Sequence, residues 1–308
     1  MPDETPLLIH VGYHKTGTTW LQRILFKPAY GYYPLMEHQE IYDRIVRPHG
    51  LLFDPTPARS AIERRRAQGA PGGADLISSE ILVGNPFHGG RESDDLARRL
   101  KAIAPNARIL VTIREQLRAA TSVYMQYLNR CGTVTPREFF SDDPVIGYVT
   151  FAPEHLDYHR LVKLYIELFG AENVHVMTQE ALARDAVAFA RELADFAGLR
   201  APGDIAGIGS DRMSPSPPEY FAPVLRRLNH FRSGPMGPGP ILNLGPMSRP
   251  AYNALGALGR TSAMKALLGR NRPVTDEVRR RFAGRYAESN RALKDLLGGR
   301  IDLSGYEI

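Results

Sequence analysis

The stretch that decides the fold is HVGYHKTGTTW at residues 10–20, which follows the apolar run PLLI. Gly12 and Gly17 have the spacing of the two glycines in a phosphate-binding P-loop, G-x-x-x-x-G-K-[ST]. The residue after Gly17 is Thr18 instead of the lysine of that motif, and the lysine lies inside the loop as Lys15. Backbone N–H groups of such a loop, and hydroxyls at the start of the helix that follows, bind anions. We therefore expect an anion-binding loop whose lysine acts at a different point from that of an ordinary P-loop.

Strands and helices alternate over the first two thirds of the chain. An apolar run before the loop and apolar residues at helical spacing after it predict strand, loop and helix over residues 6–27. Further apolar runs predict strands at 74–80, 107–115 and 173–182. Amphipathic segments predict helices at 94–105, 116–129, 155–170 and 186–199. This order predicts an α/β fold, a P-loop-like parallel sheet with helices on both faces.

The alternation stops near residue 200. The segment 233–250 is dense in glycine and proline and predicts an irregular loop, and helical stretches follow at about 253–268 and 275–297. We expect a single domain over residues 1–308, with an α/β core at about 6–200 and a helical C-terminal region at about 201–308.

Composition and charge exclude several classes of protein. The chain has 39 basic and 33 acidic residues and a net charge of +6, which favours anionic ligands but falls short of a nucleic-acid-binding surface. No stretch approaches the ~20 apolar residues that span a bilayer, so we expect a soluble, cytoplasmic protein. The single cysteine, Cys131, excludes an internal disulfide and a multi-cysteine metal site.

A basic residue ends the strand that precedes residue 116. Ligands bind at the carboxyl ends of the strands in open parallel sheets, and Mg²⁺-dependent nucleotide hydrolases place an acidic residue at such an end. Here the strand ends at Arg114, and Ser122 follows eight residues later. If the helix begins near residue 116, Ser122 lies about two turns along it, where its hydroxyl and the guanidinium can meet at one phosphate. The pair indicates a phosphate bound without a metal ion.

These residues resemble the sulfotransferase superfamily, particularly its bacterial and carbohydrate-modifying members, whose donor is 3′-phosphoadenosine 5′-phosphosulfate (PAPS). In that family a loop like HKTGTTWLQ binds the 5′-phosphosulfate, and an arginine followed eight residues later by a serine binds the 3′-phosphate. The resemblance is dense to about residue 200 and loose thereafter. It implies metal-independent, in-line transfer of a sulfuryl group from PAPS to a hydroxyl of a glycan or small molecule. The donor-binding residues that it implies are Lys15, Thr16, Gly17, Thr18, Thr19, Trp20, Arg114, Ser122 and Arg212.

The resemblance also implies catalytic roles for three residues. Negative charge builds on the departing phosphate, and Lys15 would supply positive charge there. Related enzymes that sulfate carbohydrates use a Glu or His shortly after the second strand as general base, and Glu80 in LISSEIL has this type and place. His14, beside Lys15, is the runner-up base. The alternative for Glu80 is an ordinary strand-end carboxylate paired with an arginine.

Three other residues have a simple structural interpretation. Trp20 either approaches the adenine or packs in the core. Arg212, in GSDRMSPSPP, either contacts the 3′-phosphate or is a surface arginine. His10 lies within the first predicted strand, and we expect it to be a satisfied core histidine.

Two other functions are compatible with an anion-binding loop. A P-loop kinase or another phosphotransferase would depend on ATP and Mg²⁺, and Arg114 at the strand end argues against it. A nucleotide-binding protein without catalysis would bind the donor without turnover, and the presence of Lys15 and Glu80 argues for an enzyme. No motif identifies the acceptor, whose pocket we expect the variable loops and the segment 233–250 to shape.

Overall fold

A computed structural model of the protein describes residues 7–67, 73–141, 151–199, 217–237 and 248–308, together with residues 205 and 208. Within these ranges five strands form one sheet, and every pair of neighbouring strands is parallel. The strands are β1 Leu8–His10, β2 Tyr32–Pro34, β3 Ala74–Ser78, β4 Arg108–Ile113 and β5 Val174–Thr178. Their order across the sheet is β2-β3-β1-β4-β5, which places β1 and the loop after it at the centre.

Both faces of the sheet are apolar. Successive residues of a strand point to opposite faces, and Ile9 and Ile77 belong to one buried cluster while Leu8 and Leu76 belong to another. The first cluster includes residues of three helices, which follow β3, β4 and the segment 151–157. The second cluster includes residues of the helices that follow β1 and β5. The predicted α/β class, a P-loop-like parallel sheet flanked by helices, is confirmed.

Helices connect the strands and form the C-terminal region. In chain order they are α1 Thr18–Trp20, α2 His38–Ile41, α3 Thr56–Arg66, α4 Ser93–Ile103, α5 Gln116–Asn129, α6 Pro136–Phe139, α7 Tyr158–Phe169, α8 Gln179–Arg184, α9 Ala186–Ala197, α10 Ala222–Leu228, α11 Ser248–Gly259, α12 Ser262–Leu268, α13 Pro273–Phe282 and α14 Ala287–Leu296. Helix α1 continues directly into a π-helical turn, Leu21–Leu25. Across the described ranges, no helix combines the length and the apolar character that a membrane crossing requires.

The structure differs from the sequence prediction at three places. Strand β2 was not predicted, because it has only three residues and ends in Pro34, a residue that strands tolerate at a sheet edge. Each predicted C-terminal helical stretch is two helices, and the second stretch breaks next to Gly284, where φ is 79°. Residues 248–250 begin α11 instead of ending a loop, and residues 238–247 lie outside the described ranges.

The C-terminal helices pack on the α/β core near the start of α5. Val278 of α13 and Leu293 of α14 belong to the same buried cluster as residues of β4, α5 and α7. The side-chain amides of Gln116 and Asn290 hydrogen-bond to each other, and Asn290 Nδ2 also donates to the carbonyl of Glu307 at 2.8 Å. These contacts tie the last helix to the first turn of α5. The organisation of residues 1–308 as a single domain stays a prediction.

Candidate active site

The loop after β1 continues the pairing of that strand with β4. The backbone N–H groups of Val11 and Tyr13 donate to the carbonyls of Leu110 and Thr112, each at 2.9 Å. Gly12 lies between these two bonds, and a Cβ there would stand 2.3 Å from Oγ1 of Thr112, far inside contact distance. The first glycine of the motif is therefore required by the close approach of the loop to β4.

Two residues of the loop have left-handed backbone conformations. Gly17, directly before α1, has φ 96°, and its carbonyl accepts the N–H groups of Trp20 and Leu21. Lys15 has φ 67°, a conformation that costs a residue with a side chain about 1–2 kcal/mol. Where left-handed and right-handed residues alternate, their backbone N–H groups point toward the same side of the chain, as they do in anion-binding loops. Strained non-glycine residues of this kind are concentrated at functional sites.

A hydrogen-bond network beneath the loop joins β1, β3 and β4. The hydroxyl of Thr16 donates to the carbonyl of Tyr13 at 2.6 Å and lies 2.8 Å from Oγ1 of Thr112. The ring of His10 hydrogen-bonds to Ser78 Oγ through Nδ1 at 2.8 Å and to Thr112 Oγ1 through Nε2 at 3.0 Å. Burial lowers the pKa of His10 to about 3, so the ring is neutral. His10 is the satisfied core histidine that we expected, and the hydroxyl of Thr16 is engaged inside the loop.

Arg114 joins the loop to α5. It directly follows β4, and its Nη1 donates to Ser122 Oγ at 2.9 Å and to the carbonyl of Lys15 at 3.4 Å. The phenol of Tyr158 donates to the carbonyl of Arg114 at 2.7 Å and fixes the backbone at the strand end. Because α5 begins at Gln116, Ser122 lies in its second turn. The guanidinium, the serine hydroxyl and the loop thus meet at one point.

Glu80 lies near Lys15 on the other side of β1. It follows β3 and begins a 3₁₀ turn, Glu80–Val83, with its side chain half-buried. Burial and the charge of Arg114 lower the pKa of Lys15, and the carboxylate of Glu80 acts in the opposite direction. Within the described ranges Glu80 forms no ion pair with Lys15 or with any arginine, so the strand-end ion pair considered for it is not found there. The Lys15 ammonium and the Glu80 carboxylate are thus close enough to interact electrostatically but do not form an ion pair.

His14 is buried beside residues that the sequence did not single out. Its ring hydrogen-bonds to the backbone of Gly84, and its Nε2 has no partner in the part of the chain that the structure describes. Burial lowers the pKa of His14 to about 3, and the charges of His155 and Arg130 act in the same direction. No sequence signal marks His155. A sequence signal does exist for Arg130, which follows Ser122 by eight residues and stands directly after α5.

The remaining predicted donor residues differ in exposure. The hydroxyl of Thr18 is buried and has no hydrogen-bond partner among the described residues, whereas Thr19 is exposed. Trp20 is only 4% exposed and packs edge-on against Phe189 with ring centroids 6.4 Å apart. This packing favours the core interpretation of Trp20, and contact with the adenine stays a prediction. Arg212 lies outside the described ranges.

A cavity of 240 Å³ lies next to the loop but not at its cationic residues. Tyr13 lines it from the loop, and His155, Asp157 and Leu161 line it from α7 and the turn before that helix. Lys15 and Arg114 are not part of its wall. The candidate anion site is therefore separate from this cavity and is defined by the hydrogen bonds of Arg114 with Ser122 and the loop.

Similarity to known proteins bears on the family of the chain. Residues 5–210 match the family model of the sulfotransferase domain, while no curated protein matches the chain. Among solved structures, a sulfotransferase from Alicyclobacillus acidocaldarius is 21% identical with a TM-score of 0.47, over 86% of this chain and 96% of that one. Mouse sulfotransferase SULT7A1, complexed with PAP, is 16% identical with a TM-score of 0.36, over 90% of this chain and 89% of that one. Both likenesses are distant, and the assignment rests on the domain match over roughly two thirds of the sequence. By that match, the chain belongs to the sulfotransferase family.

Proposed function

We propose that this protein transfers the sulfuryl group of PAPS to a hydroxyl of a glycan or small-molecule acceptor and releases 3′-phosphoadenosine 5′-phosphate (PAP). The observation that carries the proposal is the meeting of Arg114, Ser122 and the backbone of Lys15 at the mouth of the loop. Family membership supports sulfuryl transfer in general. The donor and the roles of individual residues are inferred from the arrangement of the site.

The donor would be held at two points. The N–H groups of the loop, with the hydroxyls of Thr18 and Thr19 at the start of α1, would bind the 5′-phosphosulfate. The hydroxyl of Thr18, buried and without a partner among the described residues, is available for such a bond. Arg114 and Ser122, already hydrogen-bonded to each other at 2.9 Å, would bind the 3′-phosphate by charge-assisted bonds. Contacts of Trp20 and of Arg212 with the adenosine part of the donor belong to the same proposal.

Lys15 and Glu80 would act on opposite sides of the sulfuryl group. As the acceptor oxygen forms its bond to sulfur, the bond from sulfur to the 5′-phosphate oxygen breaks, and the acceptor proton passes to the Glu80 carboxylate. Lys15 would stabilise the negative charge that builds on the departing phosphate. The two side chains are neighbours, and neither forms an ion pair within the described part of the chain, which leaves both available for these roles.

His14 is a weaker candidate for the base. A general base works best when its pKa lies near the operating pH, and burial lowers the pKa of His14 to about 3. Its Nε2 is also buried. These properties count against His14 as the base and favour a supporting role for it in the loop.

In this proposal the positive charge of Lys15 takes the part that Mg²⁺ takes in kinases, so the proposed reaction needs no metal ion. The proposal also includes the cytoplasmic location predicted from the sequence, and no nucleic-acid partner.

Differential stabilisation by nucleotides tests the proposed donor. We expect PAP to raise the melting temperature more than ATP with Mg²⁺ does, because ATP has no 3′-phosphate for Arg114 and Ser122. A ligand at 100 times its Kd stabilises the folded state by about 2.7 kcal/mol, which a thermal-shift measurement resolves readily. The shift with PAP should be the same in EDTA. A larger shift with ATP and Mg²⁺ than with PAP would indicate a phosphotransferase instead.

The 3′-phosphate site has its own prediction. We expect Arg114→Ala to weaken PAP binding by about 2 kcal/mol or more, and Ser122→Ala by about 1 kcal/mol, as measured by titration calorimetry. Neither substitution should affect adenosine 5′-phosphosulfate, which lacks the 3′-phosphate, by more than a fraction of that amount. Ser122→Ala is the sharper control, because Arg114 also contacts the loop carbonyl of Lys15. Equal losses for both nucleotides would assign these residues to the loop and not to the 3′-phosphate.

A further inference from the structure

Arg130 directly follows α5, close to the candidate site but outside its donor half. Ser122 and Gln126 lie four residues apart on one face of α5, and Arg130 follows at the same interval as the C-cap residue of that helix. The rise of the helix places the backbone of Arg130 about 12 Å beyond that of Ser122. If Ser122 marks the 3′-phosphate, Arg130 lies well away from that group.

The neighbours of Arg130 belong to the segment that follows the candidate base. Its guanidinium lies over the ring of Phe87 at 5.4 Å, and Phe87 is part of a 3₁₀ turn, Pro86–His88, shortly after Glu80. The same guanidinium contributes to the lowered pKa of His14, so it also lies near the loop. Arg130 therefore lies between the turn that follows Glu80 in the chain and the anion-binding loop.

The backbone at Arg130 is anchored in an unusual conformation. Cys131 has φ 70°, a left-handed conformation that glycine normally occupies after a helix. The carbonyl of Arg130 accepts the N–H of Met236 at 3.0 Å, and Cys131 Sγ donates to the carbonyl of Ser233 at 3.4 Å. The end of α5 is thus fixed to the beginning of the Gly/Pro-rich segment, which we expect to shape the acceptor pocket.

The guanidinium is charged, exposed and without a carboxylate partner among the described residues. One turn earlier, Gln126 has a buried Oε1 with no hydrogen-bond partner in the same ranges. Guanidinium groups bind carboxylate, phosphate and sulfate groups through paired hydrogen bonds. An arginine laid over an aromatic ring and left unpaired next to a reaction centre is suited to a ligand that carries such a group.

Resting on the function proposed above, we infer that the acceptor carries an anionic group and that Arg130 binds this group beside Glu80. The group is a carboxylate or a phosphate or sulfate ester, and the hydroxyl to be sulfated belongs to the same molecule. In the proposed function Lys15 and Arg114 contact the donor, whereas Arg130 is an exposed cation near the loop that is paired with no carboxylate among the described residues. The donor and the acceptor then each have their own positive contact.

Anion binding to the PAP-saturated protein tests this inference without a known acceptor. The probes are sulfate, phosphate and acetate, titrated by calorimetry into wild type, Arg130→Gln and a matched control, Arg64→Gln, at constant ionic strength. Arg64 is an exposed arginine on α3. We expect wild type and the control to bind at least one probe equally, and Arg130→Gln to bind it at least tenfold more weakly. The preferred probe distinguishes a carboxylate acceptor from a phosphate or sulfate ester.

Three results would overturn the inference. The first is that no probe binds to the wild-type complex, and the second is that Arg130→Gln binds the probe as tightly as wild type does. The third is a tenfold loss of PAP affinity in Arg130→Gln, which would assign the residue to the donor. Failure of the wild-type protein to bind PAP would instead contradict the proposed function itself. Arg130 is exposed, and circular dichroism of Arg130→Gln confirms that the variant is folded before titration.

Discussion

Glu80→Gln is expected to lower turnover by roughly 10²–10⁴-fold, because glutamine keeps the size and hydrogen bonding of the side chain but accepts no proton. The half-buried position of Glu80 at the start of its 3₁₀ turn is compatible with an amide, so the variant should fold normally. PAP affinity should stay near that of wild type, since the carboxylate is assigned to the acceptor. The measurement is release of PAP from PAPS with a working acceptor, with calorimetry of PAP binding in parallel.

Two variants serve as controls for Glu80→Gln. Glu63→Gln replaces an exposed glutamate on α3 and should leave turnover unchanged. His14→Ala should cost less in rate and more in donor binding, because His14 lies buried inside the anion-binding loop. Normal turnover by Glu80→Gln, together with an inactive His14→Ala that still binds PAP, would transfer the role of base to His14.

Lys15→Ala is expected to lower turnover by ~10²-fold or more, the effect of removing a group that stabilises charge developing in the transition state. The loss should appear mainly in kcat, because the ammonium matters most once the phosphate begins to leave. PAPS turnover and the melting temperature are measured together, so that loss of the fold is distinguished from loss of catalysis. Adding EDTA should change neither the wild-type rate nor the ratio between the two proteins.

The control for Lys15 is Lys163→Ala. Lys163 lies on α7, largely exposed, and its ammonium is 3.8 Å from the carboxylate of Glu167. Its removal should leave the rate of sulfuryl transfer unchanged. A wild-type rate that vanishes in EDTA and returns with Mg²⁺ would refute the metal-independent mechanism, and full activity of Lys15→Ala would refute the role of the lysine.

Most of the sheet was predictable because its strands are buried on both faces. The runs that became β1, β3, β4 and β5 are mainly apolar, and each lies next to a segment with helical spacing. Strand β2 carries no such signal, since it is a short edge strand containing proline. The breaks within the two C-terminal helical stretches were also missed, because amphipathic spacing resumes in nearly the same phase after each break.

The candidate site was predictable where its residues are adjacent in sequence to strand ends. The loop residues, Glu80 and Arg114 each follow a parallel strand, and such ends converge at one edge of the sheet. Tyr158 and His155 come from the start of α7 and the turn before it, and only tertiary packing brings them to the site. Their positions depend on how helices cross the sheet, which spacing along the chain does not specify.

If Lys15 has the role proposed for it, its left-handed backbone, with φ 67°, sets stability and activity against each other at that position. Glycine adopts this conformation without steric penalty, so Lys15→Gly relieves strain of about 1 kcal/mol while removing the ammonium. A variant library of this protein screened for heat resistance alone would therefore enrich glycine at residue 15. With the proposed role of Lys15, each round of such a screen would select more stable and less active molecules, so directed evolution of a more stable enzyme has to select for turnover in every round.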